Sequence, residues 1–522
     1  MTLATALSLW GLQISMLLFG YLCGISSPVA TSAPAVSAAD GPFVSRVELA
    51  APTVQPVTLT VHPGARQTFA GLGTSQNNFQ SPYTKLTPER RALLSRLLFS
   101  DLRLKVLRLW WDVPAFAPPS GPRNPAPFVE AYIASGLLAD ARAHGVTTLL
   151  LAPDHVPPEM LEDPARPTSL IKPAATGRYA GLIAEFIRLL RDRYKVQINA
   201  TGIANEPPWF TPQSMVQTVR ALRTELDRRG LRDVRIVATE QPNNDDVTDK
   251  FLTALKADTR AWASLAGIAT HSYNMAARNA EARLVEGVDG RNTKEFWITE
   301  SGGGAALPTS EPAVDARQAA SMASRFLSDM NHRVTHWVWF LGAEEITRWP
   351  EDFDNVQRLI EYQPLREGDW YLPLLKYYYL KRLSQTFDVG AGFRSVQSSL
   401  DGDMTWTYGR KPRLTAATAC NPDGTWSVAL SNYTSNDFAF PAMTPFDRDN
   451  TGQAAQTFAV TLRIPELASV GAISFRVWRN SATLRDVEEG SVTMRNGVVT
   501  ITGISPLQMV TLRSTAVRPP RP

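Results

Sequence analysis

Thr201-Gly202-Ile203-Ala204-Asn205-Glu206-Pro207-Pro208-Trp209-Phe210-Thr211-Pro212 reads as one complete βα unit. The run Thr201 to Asn205 has the look of a short buried strand, and the Pro-Pro pair ends it. Thr211 can then cap a helix whose first position is Pro212. Val216, Val219, Leu222 and Leu226 form that helix's apolar stripe, and Gly230 stops it. The same unit recurs on both sides. Candidate strands lie at Phe69 to Gly73, Val106 to Trp110, Thr147 to Ala152, Thr201 to Asn205, Val234 to Thr239, Gly267 to His271, Phe296 to Thr299 and Thr335 to Phe340. Helical patterns separate them; one begins at Thr87-Pro88 and carries Leu93, Leu94, Leu97 and Leu98 on one face. Eight βα repeats predict a closed parallel (β/α)8 barrel, an α/β fold. A doubly wound sheet would need a phosphate loop and helix after an early strand, and Gly71-Leu72-Gly73-Thr74 leads into no such helix.

Past about Ser384 the period changes to two. Trp426 to Leu430, Phe458 to Ile464, Ile473 to Trp478 and Gln508 to Leu512 alternate apolar and polar residues. Asn496-Gly497 between Val492 to Arg495 and Val498 to Ile501 is a two-residue hairpin signal, since both turn positions must tolerate positive φ. An antiparallel β-sandwich is therefore expected at 385–522, after a barrel at 67–384. The segment 40–66 reads as a spacer plus a strand, Val57 to Val61, that the barrel leaves unpaired and the sandwich should accept.

The 522 residues include 44% hydrophobic and 20% charged, an ordinary globular balance. A net charge of +4 is too small for this length to suggest a nucleic-acid partner. From Met1 to Ala39 there is no charged side chain, and Leu3 to Cys23 is strongly apolar. The segment 1–39 reads as a secretory signal with small residues at Ser37 and Ala38, or as an uncleaved membrane anchor. With Cys23 inside that leader, Cys420 has no partner for an internal disulfide in the mature chain.

In a barrel of this kind the side chains that converge on one ligand stand at the C-terminal strand ends. The fourth strand delivers Glu206 to that rim and the seventh delivers Glu300, three units of roughly 30 residues later and so across the mouth. Two opposed carboxyls are what glycosidic cleavage requires. One protonates the leaving oxygen while the other meets the positive charge growing at the anomeric carbon. Six His and no paired His or Cys at ligand spacing leave zinc no evident site, and no other cofactor is implied. Thr299-Glu300-Ser301-Gly302-Gly303 places no serine at the centre of a nucleophile elbow.

Asn205-Glu206-Pro207, His271-Ser272-Tyr273 and Trp297-Ile298-Thr299-Glu300 resemble the retaining glycoside hydrolases of clan A. Within that clan, Phe69 to Gly73, the Ala152 to Met160 loop with its Pro-Pro pair, and the passage from Tyr377 to Val396 are similar to glycoside hydrolase family 30. The likeness spans about residues 52 to 515. It implies a barrel fused to a side β-domain, a carbohydrate substrate, Glu206 as acid/base and Glu300 as nucleophile. It further implies that Arg108 contacts the nucleophile and that Asn205 holds the sugar's 2-hydroxyl. Tyr273 can donate to Glu300, and His271 is given a binding role.

Period two puts Trp337 and Trp339 on one face of the last strand, with Trp339 nearer the rim and expected as a sugar platform. Trp111 and Trp209 sit where they could line outer subsites. Where family members often carry a tryptophan after the third strand, this chain has Asp154-His155, expected to bind a substrate hydroxyl instead. Two alternatives stand beside the hydrolase: a non-catalytic carbohydrate-binding protein on the same scaffold, and a barrel enzyme for a phosphorylated metabolite using Gly302-Gly303-Gly304. The sugar, the linkage, endo or exo action and the oligomeric state are not legible.

Overall fold

The computed structural model describes residues 54–76, 83, 86–273, 275–302, 312–345, 357–362, 371–407, 410–436 and 454–517. The leader at 1–39, Cys23 and most of the Gly302 to Gly304 loop lie outside them. Among the described residues no helix is long and apolar enough to cross a membrane.

The eight expected strands all form, as β1 (Gly71–Ser75), β2 (Val106–Asp112), β3 (Thr148–Asp154), β4 (Ala200–Thr201), β5 (Arg235–Gln241), β6 (Gly267–Ser272), β7 (Glu295–Ser301) and β8 (His336–Trp339). They close into one parallel barrel, and the seam pairs β8 with β1, His336 opposite Gly71 and Trp339 opposite Thr74. Val106, Leu150, Ala200, Val237, Ala269, Trp297 and Val338, one from each of seven strands, form a separate buried cluster that fills the interior. Gly73 completes that layer from β1, where a Cβ would stand 2.6 Å from that of Val106. The opposite faces of the strands join the helices in the main core. The helix Pro212–Arg228 begins at Thr211 with a reciprocal cap to Ser214, as its sequence predicts.

Two irregularities interrupt the ladder on the rim side. The β5–β6 register shifts between Thr239 and Gln241, making Glu240 a bulged residue. The β6–β7 register shifts between Thr270 and His271, so that Thr299 is passed over and His271 faces Glu300. β4 is shorter than the expected Thr201 to Asn205, but the chain beyond it stays tethered to β3 through Gly202 N–H to Leu151 O at 3.0 Å and Asn205 N–H to Pro153 O at 2.8 Å. Bulges beside a barrel rim redirect side chains, and both of these lie at the mouth.

The β-domain is a single hydrogen-bonded sheet of 11 strands that curls around its own buried core. The strand Val54–Val61 joins it as expected, antiparallel to Val396–Ser398 and parallel to Thr457–Arg463. The Asn496-Gly497 turn also forms, with φ of 48° and 74°. Helices Pro312–Asn331 and Leu375–Thr386 connect the two layers. The Asn331 side-chain amide exchanges hydrogen bonds with the backbone of Val396 at 2.8 and 3.0 Å, and the Tyr379 hydroxyl donates to Asn480 O and Leu507 O.

Candidate active site

The site is the layer immediately above the interior plug. Two residues beyond Val106, Arg108 points into the mouth and is fully buried. Its guanidinium divides its donors: Nη1 to Glu300 Oε2 at 2.6 Å and Nη2 to Asn205 Oδ1 at 2.6 Å. A planar fork of this shape fixes two acceptors in a set geometry, whereas a lysine ammonium is a rotatable point charge. The hydroxyl of Tyr273, after β6, donates to the other oxygen of Glu300. Both oxygens of that carboxylate are thus held by donors. Burial, then the charge of Glu300, pushes the Tyr273 phenol well above its ordinary range, so it remains a donor.

Glu206 follows β4 and stays partly open, with 36% of its side chain exposed. Its Oε1 lies 3.0 Å from His271 Nδ1. Burial pushes the His271 imidazole down to about 3, against the pull of Glu300, so it is neutral and carries one N–H. Either Nδ1 or a protonated Glu206 can be the donor of this bond, according to the tautomer. Burial also raises Glu206 above the usual carboxyl range, with Arg108 opposing. The facing ligand atoms of Glu206, His271 and Glu300 all lie within 4.8 Å of one another. Such spacing could enclose a cation, but the donors here are already turned to Arg108, Tyr273 and His271. The guanidinium next to Glu300 would repel a second positive charge.

A second group lies at the ends of β2 and β3, where Asp112 and Asp154 are register partners. His155, with φ of 62°, sets Nδ1 3.2 Å from Asp154 Oδ2 and 3.9 Å from Asp112 Oδ1. Burial raises the Asp154 carboxyl and His155 opposes it. The ring of Trp209 is 5.6 Å from that of His155. Tyr179 fixes the two loops together by donating to His155 O at 3.3 Å and Ile203 O at 3.1 Å.

Arg108, Asn205, Glu206, His271, Tyr273 and Glu300 are therefore brought into one connected network, with Asp154 and His155 in the neighbouring group. Trp339, expected as a sugar platform, belongs to neither. It is completely buried, packs beside Trp337 in the outer core and donates its indole N–H to Gln357 O. Val338 occupies the interior face instead. The aromatic residue that follows on that inward face is Phe340, whose ring is 6.2 Å from that of Trp110, itself under the Arg108 guanidinium at 5.5 Å. Trp111 is likewise core, stacked on Phe186 at 4.2 Å.

Two charged residues have no counterpart in the sequence reading. Arg325, on the helix Pro312–Asn331, is buried and donates Nη1 to Ser272 O at 3.0 Å, to Tyr273 O at 2.9 Å and to Gly302 O. Glu240 is fully buried in the bulge of β5, its Oε1 3.7 Å from Arg108 Nη2. Arg325 sits in no rim motif, and Glu240 directly follows the expected fifth strand, Val234 to Thr239, a rim position that carries no sugar-site motif around it.

Solved structures share this architecture. The catalytic domain of a family 30 xylanase C from Talaromyces cellulolyticus aligns with a TM-score of 0.62 at 15% identity, over 88% of this chain and 100% of that one. A family 30 subfamily 8 xylanase from Clostridium acetobutylicum aligns at 0.59 and 16% identity, over 88% and 100%. An endo-β1,6-glucanase aligns at 0.60 and 16% identity, over 88% and 94%. No family model matches the chain. No curated protein matches it either. At these identities the likeness establishes the fold alone, a closed barrel with a side β-domain.

Proposed function

We propose that this chain is an exported retaining glycoside hydrolase that cleaves a β-linked sugar by double displacement through a covalent glycosyl-enzyme. The observation that carries the reading is the facing pair Glu206 and Glu300, whose nearest carboxylate atoms lie within 4.8 Å. Retaining enzymes set their carboxyls about 5 to 5.5 Å apart, whereas inversion leaves about 6.5 to 9.5 Å for a water. The leader at 1–39 supports export, and the scaffold's solved relatives support a carbohydrate substrate.

Glu300, aimed by Arg108 and Tyr273, attacks the anomeric carbon. Glu206 gives its proton to the departing glycosidic oxygen. The ester that forms cancels the charge of Glu300, which lowers the proton affinity of Glu206, now ionised. Glu206 then takes a proton from water as that water attacks the same carbon from the face the leaving group vacated. Glu300 departs as carboxylate, and two inversions give net retention. Because Asn205 Oδ1 is held by Arg108, its amide N–H group is left for the sugar's 2-hydroxyl. His271 orients Glu206 without exchanging its own proton. Asp154 and His155 bind a hydroxyl further along the sugar.

A panel of aryl β-glycosides tests these roles. Glu300→Gln should be inactive on all of them. Glu206→Ala should retain attack on substrates with good leaving groups and be rescued by azide as the β-glycosyl azide. Equal loss for both variants on every leaving group would overturn the assignment, and turnover by neither variant nor wild type would favour a carbohydrate-binding protein. NMR of the first-formed anomer tests retention separately.

A further inference from the structure

Glu240 is a third glutamate in the barrel mouth, and the two-carboxylate reaction does not use it. It is completely buried, and Arg108 Nη2 stands 3.7 Å from its Oε1, with no hydrogen bond of 3.5 Å or less to either oxygen among the described residues. A buried acid left in that state is costly and calls for an explanation.

Its placement is specific in three ways. The bulge holds its backbone at φ +59°, a region that non-glycine residues seldom occupy. Its carboxyl lies over the Cα of Gly202, where an added Cβ would stand 1.8 Å from Glu240 Oε2. Its carbonyl accepts the backbone N–H of Glu206 at 3.0 Å, and Glu206 is itself left-handed at φ +40°. Strain of this kind persists where the surroundings enforce it, and it gathers at working sites. Here it joins two glutamates main chain to main chain, while the side chain of one faces the arginine that grips Glu300.

We propose that Glu240 is a positioning residue for both catalytic carboxyls, acting on Glu300 through the charge of Arg108 and on Glu206 through its own backbone carbonyl. This rests on the reading of Glu206 and Glu300 as the reacting pair. The groups that face the Glu240 carboxyl are Arg108 from β2, Glu300 and Thr299 from β7, and Tyr179 from the helix Thr176–Tyr194. Burial raises Glu240 to about 7, against the pull of Arg108 and Thr299. Below that pH it is neutral, and Glu300 is the carboxylate whose charge Arg108 balances. Above it, one more negative charge opposes that of Arg108, which otherwise draws the Glu206 proton affinity down. Glu240 thereby extends the pH range over which the acid can act.

The test compares wild type, Glu240→Gln, Glu240→Asp and Gly202→Ala on an aryl β-glycoside with a poor leaving group, across pH. Gln keeps the shape and the main chain but not the charge. The alkaline limb of kcat/KM should move down by about one pH unit, the scale of a nearby charge, and Asp should restore it. Gly202→Ala, which evicts the carboxyl, should lower kcat at least tenfold with KM little changed. Melting supplies a readout that needs no substrate. A carboxyl near 4.3 when unfolded and near 7 when folded makes the native state bind more protons between those values. Stability then falls as pH rises through that window and levels above it. Glu240→Gln should lack that fall, so its melting temperature gains on wild type from pH 5 to 7.5. An active wild type whose Glu240→Gln variant keeps both the alkaline limb and the melting profile overturns this proposal alone. A wild type inactive on every glycoside overturns the catalytic reading and this proposal with it.

Discussion

A single guanidinium organises the mouth of the barrel. Arg108 lies between Glu300, Asn205 and Glu240, and its burial is tolerable because acids surround it. Burial works against its charge, but Glu300 and then Glu240 outweigh that and raise its pKa. The neighbouring Asp154 illustrates a different residue-level choice. Its side chain is only 12% exposed, its Oδ1 accepts the backbone N–H of His155 at 3.0 Å, and under the proposed function its remaining acceptor capacity goes to a sugar hydroxyl. A hydrogen bond to a charged group contributes about 1.5 to 3 kcal/mol. Asp154→Ala should therefore lower kcat/KM about 10- to 100-fold for the sugar whose hydroxyl it holds, and much less for the corresponding deoxy sugar. Equal loss on both, measured side by side, would remove Asp154 from the site. The sequence disclosed Glu206 and Glu300 because each follows a strand at the rim, and Arg108, Asn205, His271 and Tyr273 because they stand in or beside motifs that resemble those of a sugar site. It misled at Trp339, since period two says that Trp337 and Trp339 share a face without saying which. Both faces of a barrel strand are buried and apolar, and here Val338 took the inside.

At the scale of the element, the two bulges explain what alternation could not disclose. Counting by twos from Val237 in the interior layer sends Glu240 outward, among the helices. The bulge turns it inward to Arg108 instead. On β7 the skipped Thr299 brings Glu300 level with His271. A bulge needs no signature residue, and neither Thr239-Glu240-Gln241 nor Ile298-Thr299-Glu300 advertises one. The loop after β7 adds a close approach: a Cβ on Gly302 would stand 2.6 Å from Cε1 of Tyr273. Gly302→Ala should push the ring off Glu300 and lower kcat about 10- to 100-fold, the weight of a charge-assisted hydrogen bond. Tyr273→Phe should cost about as much, and the double variant should be no worse than Tyr273→Phe alone, because both act through one contact. Additive losses in that cycle would show that Gly302 matters for another reason.

For the whole molecule, the question is why a barrel that already closes on itself carries an 11-stranded sheet. The helix Pro312–Asn331 supplies an answer. Arg325 on that helix gathers the carbonyls of Ser272, Tyr273 and Gly302 beside Glu300. One residue earlier Ser324 bonds Ser431 of the sheet at 3.0 Å, and at the helix end Asn331 pairs with Val396. One element thus reads the sheet on one side and the site on the other. The sheet in turn depends on Val54–Val61, hydrogen-bonded on both edges, with Leu59 completely buried in its core. Leu59→Ala should destabilise the fold by about 2 to 5 kcal/mol through the cavity it leaves. If the helix couples the layers as described, melting followed by tryptophan fluorescence and by residual activity should give one coincident transition, displaced to lower temperature in the variant. A sheet that melts first while turnover persists would mean that Arg325 holds Tyr273 in place without support from the β-domain. The coupling across Ser324 and Asn331 would then be packing alone.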